Sequence, residues 1–199
     1  MARRSVEVRR EQILAATVAQ IERAGLAQTR VADVASALGV STALVFYHFG
    51  TKDALLAAAF EHAVEHDLER LDKALVGSTD PVDMLRRIVR LYGPTGNAVG
   101  WRLWIDAWAL AQREPAIRTA LRALDRRWAS QLLSVVTAGV ADGVFDTPDP
   151  AASVARISAL LDGLSVAALV YGTVSRRQLR AWIAEAVAAE LGVDVALLH

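Results

Sequence analysis

The chain has 199 residues, of which 54% are hydrophobic, and its 22 Lys and Arg side chains balance 22 Asp and Glu side chains. It contains no cysteine, which excludes a disulfide framework and a cysteine-ligated zinc site. Charged residues interrupt every apolar run before about 18 residues, so we expect neither a signal peptide nor a transmembrane helix. The composition predicts a cytoplasmic protein.

The charge is unevenly distributed along the chain. Residues 1–52 carry seven basic and four acidic side chains, a net charge of +3, and the remainder carries −3. A basic N-terminal segment suits a polyanionic partner. Because chance clustering of a few arginines would give the same excess, the charge supports the motif described below but does not replace it.

Apolar periodicity predicts helices along almost the whole chain and no strand or repeat. The first runs over residues 6–24, two short ones follow, and a long helix extends from Lys52 to about residue 76. Breaks rich in Gly and Pro separate five more, at residues 81–92, 98–113, 115–140, 151–172 and 176–191. The predicted fold is all-α with about nine helices, divided into a three-helix head at 1–50 and a larger helical domain at 51–199.

The two short helices form the most informative part of the chain. Thr29 and Ser41 are their predicted N-caps, and Gly39 supplies a turn that tolerates positive φ. A helix as short as residues 42–48 is not stable alone, and it makes sense as a recognition helix presented by a scaffold. Residues 29–52 are therefore predicted to form a helix-turn-helix.

The segment TRVADVASALGVSTALVFYHFGTKDALL resembles the DNA-binding motif of the TetR family of bacterial transcriptional regulators. The resemblance implies that a homodimer binds a palindromic operator in double-stranded DNA. It also implies that Thr42, Ala43 and Leu44 face base edges, where only Thr42 can form a hydrogen bond. Phe46 departs from the family pattern, which has a tyrosine there, and it either contacts DNA through its ring or belongs to the core with Val45 and Phe49.

The remaining predicted DNA-binding residues are the cap Ser41 and residues placed for phosphates. The latter are Thr29, Arg30, Tyr47, His48 and Lys52. Since the recognition helix contains no Arg, Asn or Gln, we expect phosphate anchoring and methyl contacts to dominate binding.

A second group of residues suggests a ligand site. Trp101, Trp104, Ile105 and Trp108 follow the spacing of one helix face, which is either core filling or the wall of a cavity. Asp106 either pairs with Arg102 on the surface or holds a cationic ligand against the indoles. Residues 101–169 resemble the choline-responsive, BetI-type branch of the family, which implies a small-molecule inducer without identifying it. Further predicted lining residues are Tyr92, Trp128 and Phe145.

Residues 154–169 are apolar almost all the way round the predicted helix, so every side of it must be buried. This pattern predicts a dimer interface, or alternatively a central core helix of a monomer. Ala159, Gly163 and Ala167 are small residues that let a partner helix approach closely. The predicted interface residues are Ile157, Leu160, Leu161, Leu164, Ala167, Ala168, Trp182 and Ile183.

Catalysis is not expected. His62 and His66 have the spacing of a shared metal site, but both project away from the apolar side of their helix, so we predict neither metal nor cofactor. The chain has no phosphate-binding glycine loop, no nucleophile elbow and no cysteine nucleophile.

The predicted function is a DNA-binding transcriptional regulator, a repressor released from its operator by a small molecule. The alternatives are an activator or ligand-independent regulator, or a helical small-molecule carrier without a DNA role.

Overall fold

The computed structural model describes residues 2–92 and 99–198, and these residues form nine α-helices and no strand. The all-α prediction is confirmed. The helices are α1 (Ala2–Ala24), α2 (Val31–Leu38), α3 (Thr42–Phe49), α4 (Lys52–Leu75), α5 (Pro81–Tyr92), α6 (Val99–Ala111), α7 (Pro115–Ala141), α8 (Pro150–Leu169) and α9 (Arg176–Leu191).

The helix bounds agree with the sequence prediction to within a few residues. The fifth and ninth helices have the predicted bounds, whereas α1 begins at Ala2 instead of residue 6. A 3-10 turn at Val195–Leu198 was not predicted, and Arg86 holds it by donating two hydrogen bonds to the Leu197 carbonyl. The predicted loop at residues 93–97 lies outside the described residues.

The chain divides into two compact units. The first consists of Met1–Asp67 and Val99–Leu124, and the second consists of Leu68–Ala98 and Asp125–His199. The first unit thus combines the three N-terminal helices with the tryptophan-rich α6. Helices α4 and α7 each contribute residues to both units.

In the second unit, α8 packs on α9, and an ion pair between Arg156 and Glu190 joins them. Hydrogen bonds from the Arg156 guanidinium and the Ser153 hydroxyl hold the pKa of Glu190 below its ordinary value of 4.5. The stability contributed by this carboxylate is fully present above that pH, and it is lost as the pH falls further.

Helix α8 has the length and hydropathy of a membrane span, judged by composition alone. The prediction of no transmembrane helix rested on charged residues such as Arg156 and Asp162, which interrupt this apolar run. Only 28% of its apolar window is buried inside the chain. An apolar surface is therefore left on α8.

The end of α7 is closed by a loop that folds back on it. Phe145 is buried, its backbone N–H donates to the Gly139 carbonyl at 3.0 Å, and its ring lies against the Gly139 Cα. A Cβ at position 139 would lie 2.2 Å from the ring atom Cδ2. The absence of a side chain at Gly139 thus leaves the space that the Phe145 ring occupies.

We expect Gly139→Ala to destabilise the protein, because the added methyl group must displace this buried ring. Overpacking of this kind costs about 1–3 kcal/mol, which corresponds to a fall in thermal midpoint of roughly 2–10 °C. Thermal denaturation followed by circular dichroism measures the effect. In the Phe145→Leu background the same substitution should cost less, because the clashing ring atoms are gone; strictly additive costs would contradict the assignment.

Candidate functional site

The N-terminal head contains the predicted helix-turn-helix. The axes of α2 and α3 differ by 111°, within the range of about 90–120° found in such motifs, and Gly39 between them has φ +64°. The Ser41 hydroxyl accepts the Leu44 N–H at 3.2 Å and caps α3, as predicted.

One face of α3 fixes the helix to the head and the other is left open. Val45 and Phe49 are buried, so their prediction as core residues is confirmed. The Tyr47 side chain is 78% exposed and Phe46 is 42% exposed. Phe46 therefore does not belong to the core with Val45 and Phe49, and its contact with DNA stays a prediction. Thr42 and Ala43 are also exposed, and Leu44 and His48 are half-buried.

Arg10 of α1 joins the C-terminal end of the recognition helix. Its Nη1 donates to the His48 carbonyl at 3.3 Å, and its guanidinium carbon lies 4.4 Å from the centroid of the Phe49 ring. Carbonyls in the last turn of a helix lack intrahelical partners. A cation there also interacts favourably with the partial negative charge at the C-terminal end of the helix dipole. No sequence pattern indicates this role, because Arg10 and His48 lie 38 positions apart in the chain.

Two predictions for Thr29 are wrong. Its side chain is only 2% exposed and its Oγ1 donates to the Gly25 carbonyl at 2.9 Å, so it does not present a hydroxyl to a phosphate. It does not cap α2 either, because the N-cap residue is Arg30. Thr29 instead stabilises the turn that joins α1 to α2.

The other predicted phosphate contacts lie around the start of α2 and α4. Arg30 is exposed. Lys52 is half-buried, and its Nζ donates to the Ala27 carbonyl at 3.4 Å. The Thr51 hydroxyl accepts the Ala54 N–H at 3.1 Å and caps α4.

The tryptophans of α6 form a cluster within the first unit. The ring centroid of Trp108 lies 6.2 Å from that of Trp101 and 6.4 Å from that of Trp104. Phe60 of α4 meets Trp104 edge to face at 5.3 Å. All three indoles and Ile105 are half-buried, so the cluster is neither fully buried in the core nor fully exposed to solvent.

Asp106 was predicted to hold a ligand or to pair with Arg102, and both predictions are corrected. Its Oδ2 accepts the backbone N–H of Leu26 at 2.9 Å. At 3.6 residues per turn, position 106 lies about 140° around α6 from Trp101, on the side facing the α1–α2 turn. Asp106 is therefore not part of the indole face.

A different carboxylate lies near the tryptophan helix. A Cβ at Gly100 would be 3.0 Å from Oδ2 of Asp67, which places that carboxylate beside the residue preceding Trp101. Phe60, Val64 and Asp67 have the i, i+4, i+7 spacing of one face of α4. This spacing was the sequence signal for Asp67, which was not predicted as a site residue.

The remaining predicted lining residues have different outcomes. Phe145 packs into the core of the second unit against Gly139, so its prediction as a lining residue is wrong. Trp128 is buried in the second unit, and its ligand role stays a prediction. The Tyr92 side chain lies outside the described residues.

The two histidines on α4 differ in exposure, because His66 is exposed as its direction away from the apolar side predicted, whereas His62 is not. His62 is half-buried, and its Nδ1 lies 3.4 Å from Oε1 of Glu11 on α1. The rings of His62 and His66 meet edge to face at 5.4 Å. Within residues 2–92 and 99–198, no group of three or more His, Cys, Asp or Glu side chains is arranged to hold a metal ion.

The predicted dimer residues divide into three sets by burial. Ile157, Leu161 and Ile183 are buried within the chain itself, so their prediction as interface residues is wrong. Leu160 and Trp182 are 37% and 43% exposed. Leu164, Ala167 and Ala168 are half-buried. A Cβ on Gly163 would meet no atom of the described chain within 4 Å, so the small-residue stripe of α8 is open to a neighbour.

Comparison with known sequences agrees with this architecture. Residues 13–59 match the family described as bacterial regulatory proteins, tetR family, and residues 81–192 match the BetI-type transcriptional repressor C-terminal family. The chain is 32% identical over 168 residues to the HTH-type transcriptional regulator BetI of Stenotrophomonas maltophilia, covering 82% of this chain and 83% of that protein. It is 30% identical over 163 residues to BetI of Paraburkholderia xenovorans, covering 79% and 80%.

Solved structures give the same result. A transcriptional regulator from Saccharomonospora viridis, determined in complex with choline, superposes with a TM-score of 0.84 at 29% identity over 93% of this chain and 98% of its own. A TetR-family regulator from Rhodococcus sp. superposes with a TM-score of 0.79 at 27% identity, over 92% and 98%. With a helix-turn-helix head and relatives that are transcriptional regulators and not enzymes, the chain belongs to the tetR family of bacterial regulatory proteins, in its BetI-type branch, and is a DNA-binding transcriptional regulator.

Proposed function

We propose that the protein is a cytoplasmic repressor that binds a palindromic operator as a homodimer and is released by a small cationic ligand. One observation carries the DNA-binding part of this proposal. The recognition helix is capped at Ser41, anchored through its buried face, and leaves a large aromatic and polar face uncovered at Phe46 and Tyr47. An anchored helix with an open face is what insertion into the major groove requires. Residues 1–50 act as the DNA-binding domain and residues 51–199 as the ligand-binding and dimerisation domain.

The exposed residues have different tasks. Thr42, Ala43 and Leu44, in the first turn of α3, contact base edges, and Phe46 adds van der Waals contact. Ser41, Arg30, Tyr47, His48 and Lys52 contact phosphates. Lys52 already donates to the turn at Ala27, so its ammonium is held near the position where a phosphate would pass.

This division of tasks predicts two kinds of mutational effect. Lys52→Ala should weaken binding to all duplexes alike and reduce the salt slope of log K by about 1, because one phosphate contact is lost. Thr42→Ala should change the preference at one or two base pairs by about 0.5–1.5 kcal/mol, because a single hydroxyl hydrogen bond is lost. Fluorescence anisotropy across a salt series, with an operator selected from a randomised duplex pool and with random duplex, measures both.

Matched variants sharpen the comparison. Lys73→Ala removes an exposed lysine farther along α4 and should leave the salt slope unchanged. Thr42→Ser keeps the hydroxyl and should keep the base preference. Equal losses on operator and random duplex for both Lys52→Ala and Thr42→Ala would refute the division. Failure of the wild-type protein to bind any duplex at low salt would instead favour the carrier without a DNA role.

The dimer is supported by the exposed apolar surface of α8 and α9. Leu160, Gly163 and Trp182 leave apolar area uncovered in the second unit, and such a surface is typical of an interface. A twofold dimer also presents two recognition helices to half-sites about 34–36 Å apart.

For the ligand we propose a quaternary ammonium compound such as choline. The half-buried indoles of Trp101, Trp104 and Trp108 offer π faces that attract a cation, and the carboxylate of Asp67 lies beside the same helix. A neighbour of 29% identity was determined in complex with choline, which favours this ligand class. Because binding is reciprocal, a ligand that prefers a conformation unsuited to the operator weakens DNA binding by the same factor by which DNA weakens ligand binding.

A further inference from the structure

The turn between α1 and α2 contains an amide that its own helix does not satisfy. Gly25 has φ +84° and its N–H donates to the Ile21 carbonyl at 2.7 Å, which closes α1 with a single capping bond. The next amide belongs to Leu26, which is fully buried. A buried N–H without a partner is costly, and here Oδ2 of Asp106 on α6 accepts it at 2.9 Å.

The same turn sets the position of the helix-turn-helix. The Gly25 carbonyl accepts the Thr29 hydroxyl, and the Ala27 carbonyl accepts the Lys52 ammonium, so the turn is bonded to the approach to α2 and to the start of α4. Asp106 is therefore bonded to the same turn that contacts both the residue before α2 and the start of α4.

Glycine at position 25 is needed for this contact. A Cβ there would lie 3.2 Å from Oδ2 of Asp106, and the positive φ is itself unfavourable for other residues. The close approach of the carboxylate to the turn thus depends on both residues.

We propose that Asp106 is a positioning residue for DNA binding, which holds the α1–α2 turn in the orientation that the operator requires. It touches neither DNA nor ligand. The carboxylate forms a charge-assisted hydrogen bond with a backbone amide, which is stronger and more directional than contact between apolar side chains. The free protein therefore carries the head in its DNA-binding orientation because α6 holds the turn.

The position of Asp106 on α6 adds a consequence for regulation, which rests on the proposed function. The indole face and the carboxylate lie on nearly opposite sides of one helix. A ligand that shifts or rotates α6 through the indoles also moves the carboxylate away from the Leu26 amide. The hydrogen bond between Asp106 and the Leu26 amide then stabilises the ligand-free state more than the ligand-bound state. Such a difference is required for coupling between the ligand site and the DNA-binding site.

The test compares Asp106→Ala, Asp106→Asn and Asp106→Glu with the wild-type protein. Asp106→Ala should lower operator affinity about tenfold and lower the ratio of operator to random-duplex affinity. Asp106→Asn keeps an acceptor oxygen at the same distance and should bind operator within about threefold of the wild-type protein. Asp106→Glu keeps the charge but lengthens the side chain, so it should be impaired like the alanine variant. Removing a negative charge would by itself strengthen binding to DNA. The expected loss of operator affinity in Asp106→Ala therefore has the opposite sign from a charge effect.

Two further measurements exclude a merely structural role. Asp142→Ala, at an exposed aspartate of the second unit, is the control for charge and should not lower the affinity ratio. Hydrogen exchange of the Leu26 amide should accelerate in Asp106→Ala, while amides in the core of the second unit stay protected. If Asp106→Ala does not fold, the asparagine and glutamate variants decide the matter.

The result that would overturn the proposal is an unchanged affinity ratio in Asp106→Ala, or equal operator binding by the asparagine and glutamate variants. The ligand proposal fails separately. If choline does not bind the wild-type protein in calorimetry, the proposed inducer is wrong, whereas the effect of Asp106 on operator affinity without ligand is still decided by the variants. If choline binds, its power to release operator should be several-fold smaller for Asp106→Ala than for the wild-type protein.

Discussion

Replacing Leu160 with glutamate is expected to produce a monomer and to weaken operator binding by about hundredfold or more. Leu160 is exposed in the single chain, on the open side of α8, and a carboxylate placed there would be desolvated without a partner in the proposed dimer. Monomeric heads lose the gain in effective concentration that links two half-sites. Light scattering after size exclusion gives the mass, and anisotropy with the selected operator gives the affinity.

The control is Val144→Glu, which places the same charge on an exposed apolar residue of a loop in the second unit. It should stay dimeric and bind operator as the wild-type protein does. A Leu160→Glu variant that remains dimeric at micromolar concentration would contradict the proposed interface. Trp182→Glu tests α9 in the same way, because Trp182 is also exposed.

The second large effect concerns the ligand. Choline is expected to bind at least about tenfold more tightly than 3,3-dimethylbutan-1-ol, which has the same shape and no charge, because only the cation is attracted by the indole faces. Trp101→Leu and Trp108→Leu should each reduce choline affinity and its ability to release operator. Isothermal titration calorimetry measures binding, and operator release is followed by anisotropy.

Asp67→Asn separates charge from shape. We expect about tenfold weaker binding of choline and unchanged binding of the neutral alcohol, because the carboxylate interacts favourably only with the cation. Arg102→Ala, on the exposed side of α6, is the control and should not weaken choline binding. Equal losses for both ligands in Asp67→Asn would show that the substitution disturbs the fold of the site and not its charge.

The sequence predicted local structure best where a single residue type has one strong backbone preference. Gly39 adopts positive φ, and Ser41 caps the helix that follows it. Each of these features depends on contacts within about four residues, so position in the chain is enough to infer it. The same locality explains why Val45 and Phe49 were assigned to the core of the head.

Predictions that depended on which way a side chain points in the folded chain were less reliable. The sequence predicted that Thr29 caps α2 and contacts DNA, yet its side chain is buried and its hydroxyl donates to the Gly25 carbonyl. It also assigned Ile157 and Leu161 of α8 to the dimer interface together with Leu160, although Ile157 and Leu161 face the inside of their own chain and Leu160 does not. In an all-apolar helix, periodicity does not tell which side meets the core and which side meets a partner.

The sequence by itself therefore determined the all-α class, the helix bounds, the helix-turn-helix and the family, because these follow from short-range patterns. Only the tertiary structure decided where the side chains of Arg10, Asp67 and Asp106 lie. Their partners lie in other helices, Arg10 at the end of α3, Asp67 beside Gly100 and Asp106 at the amide of Leu26. A hydrogen bond between residues 80 positions apart depends on how helices pack, and no pattern within a single helix encodes that geometry.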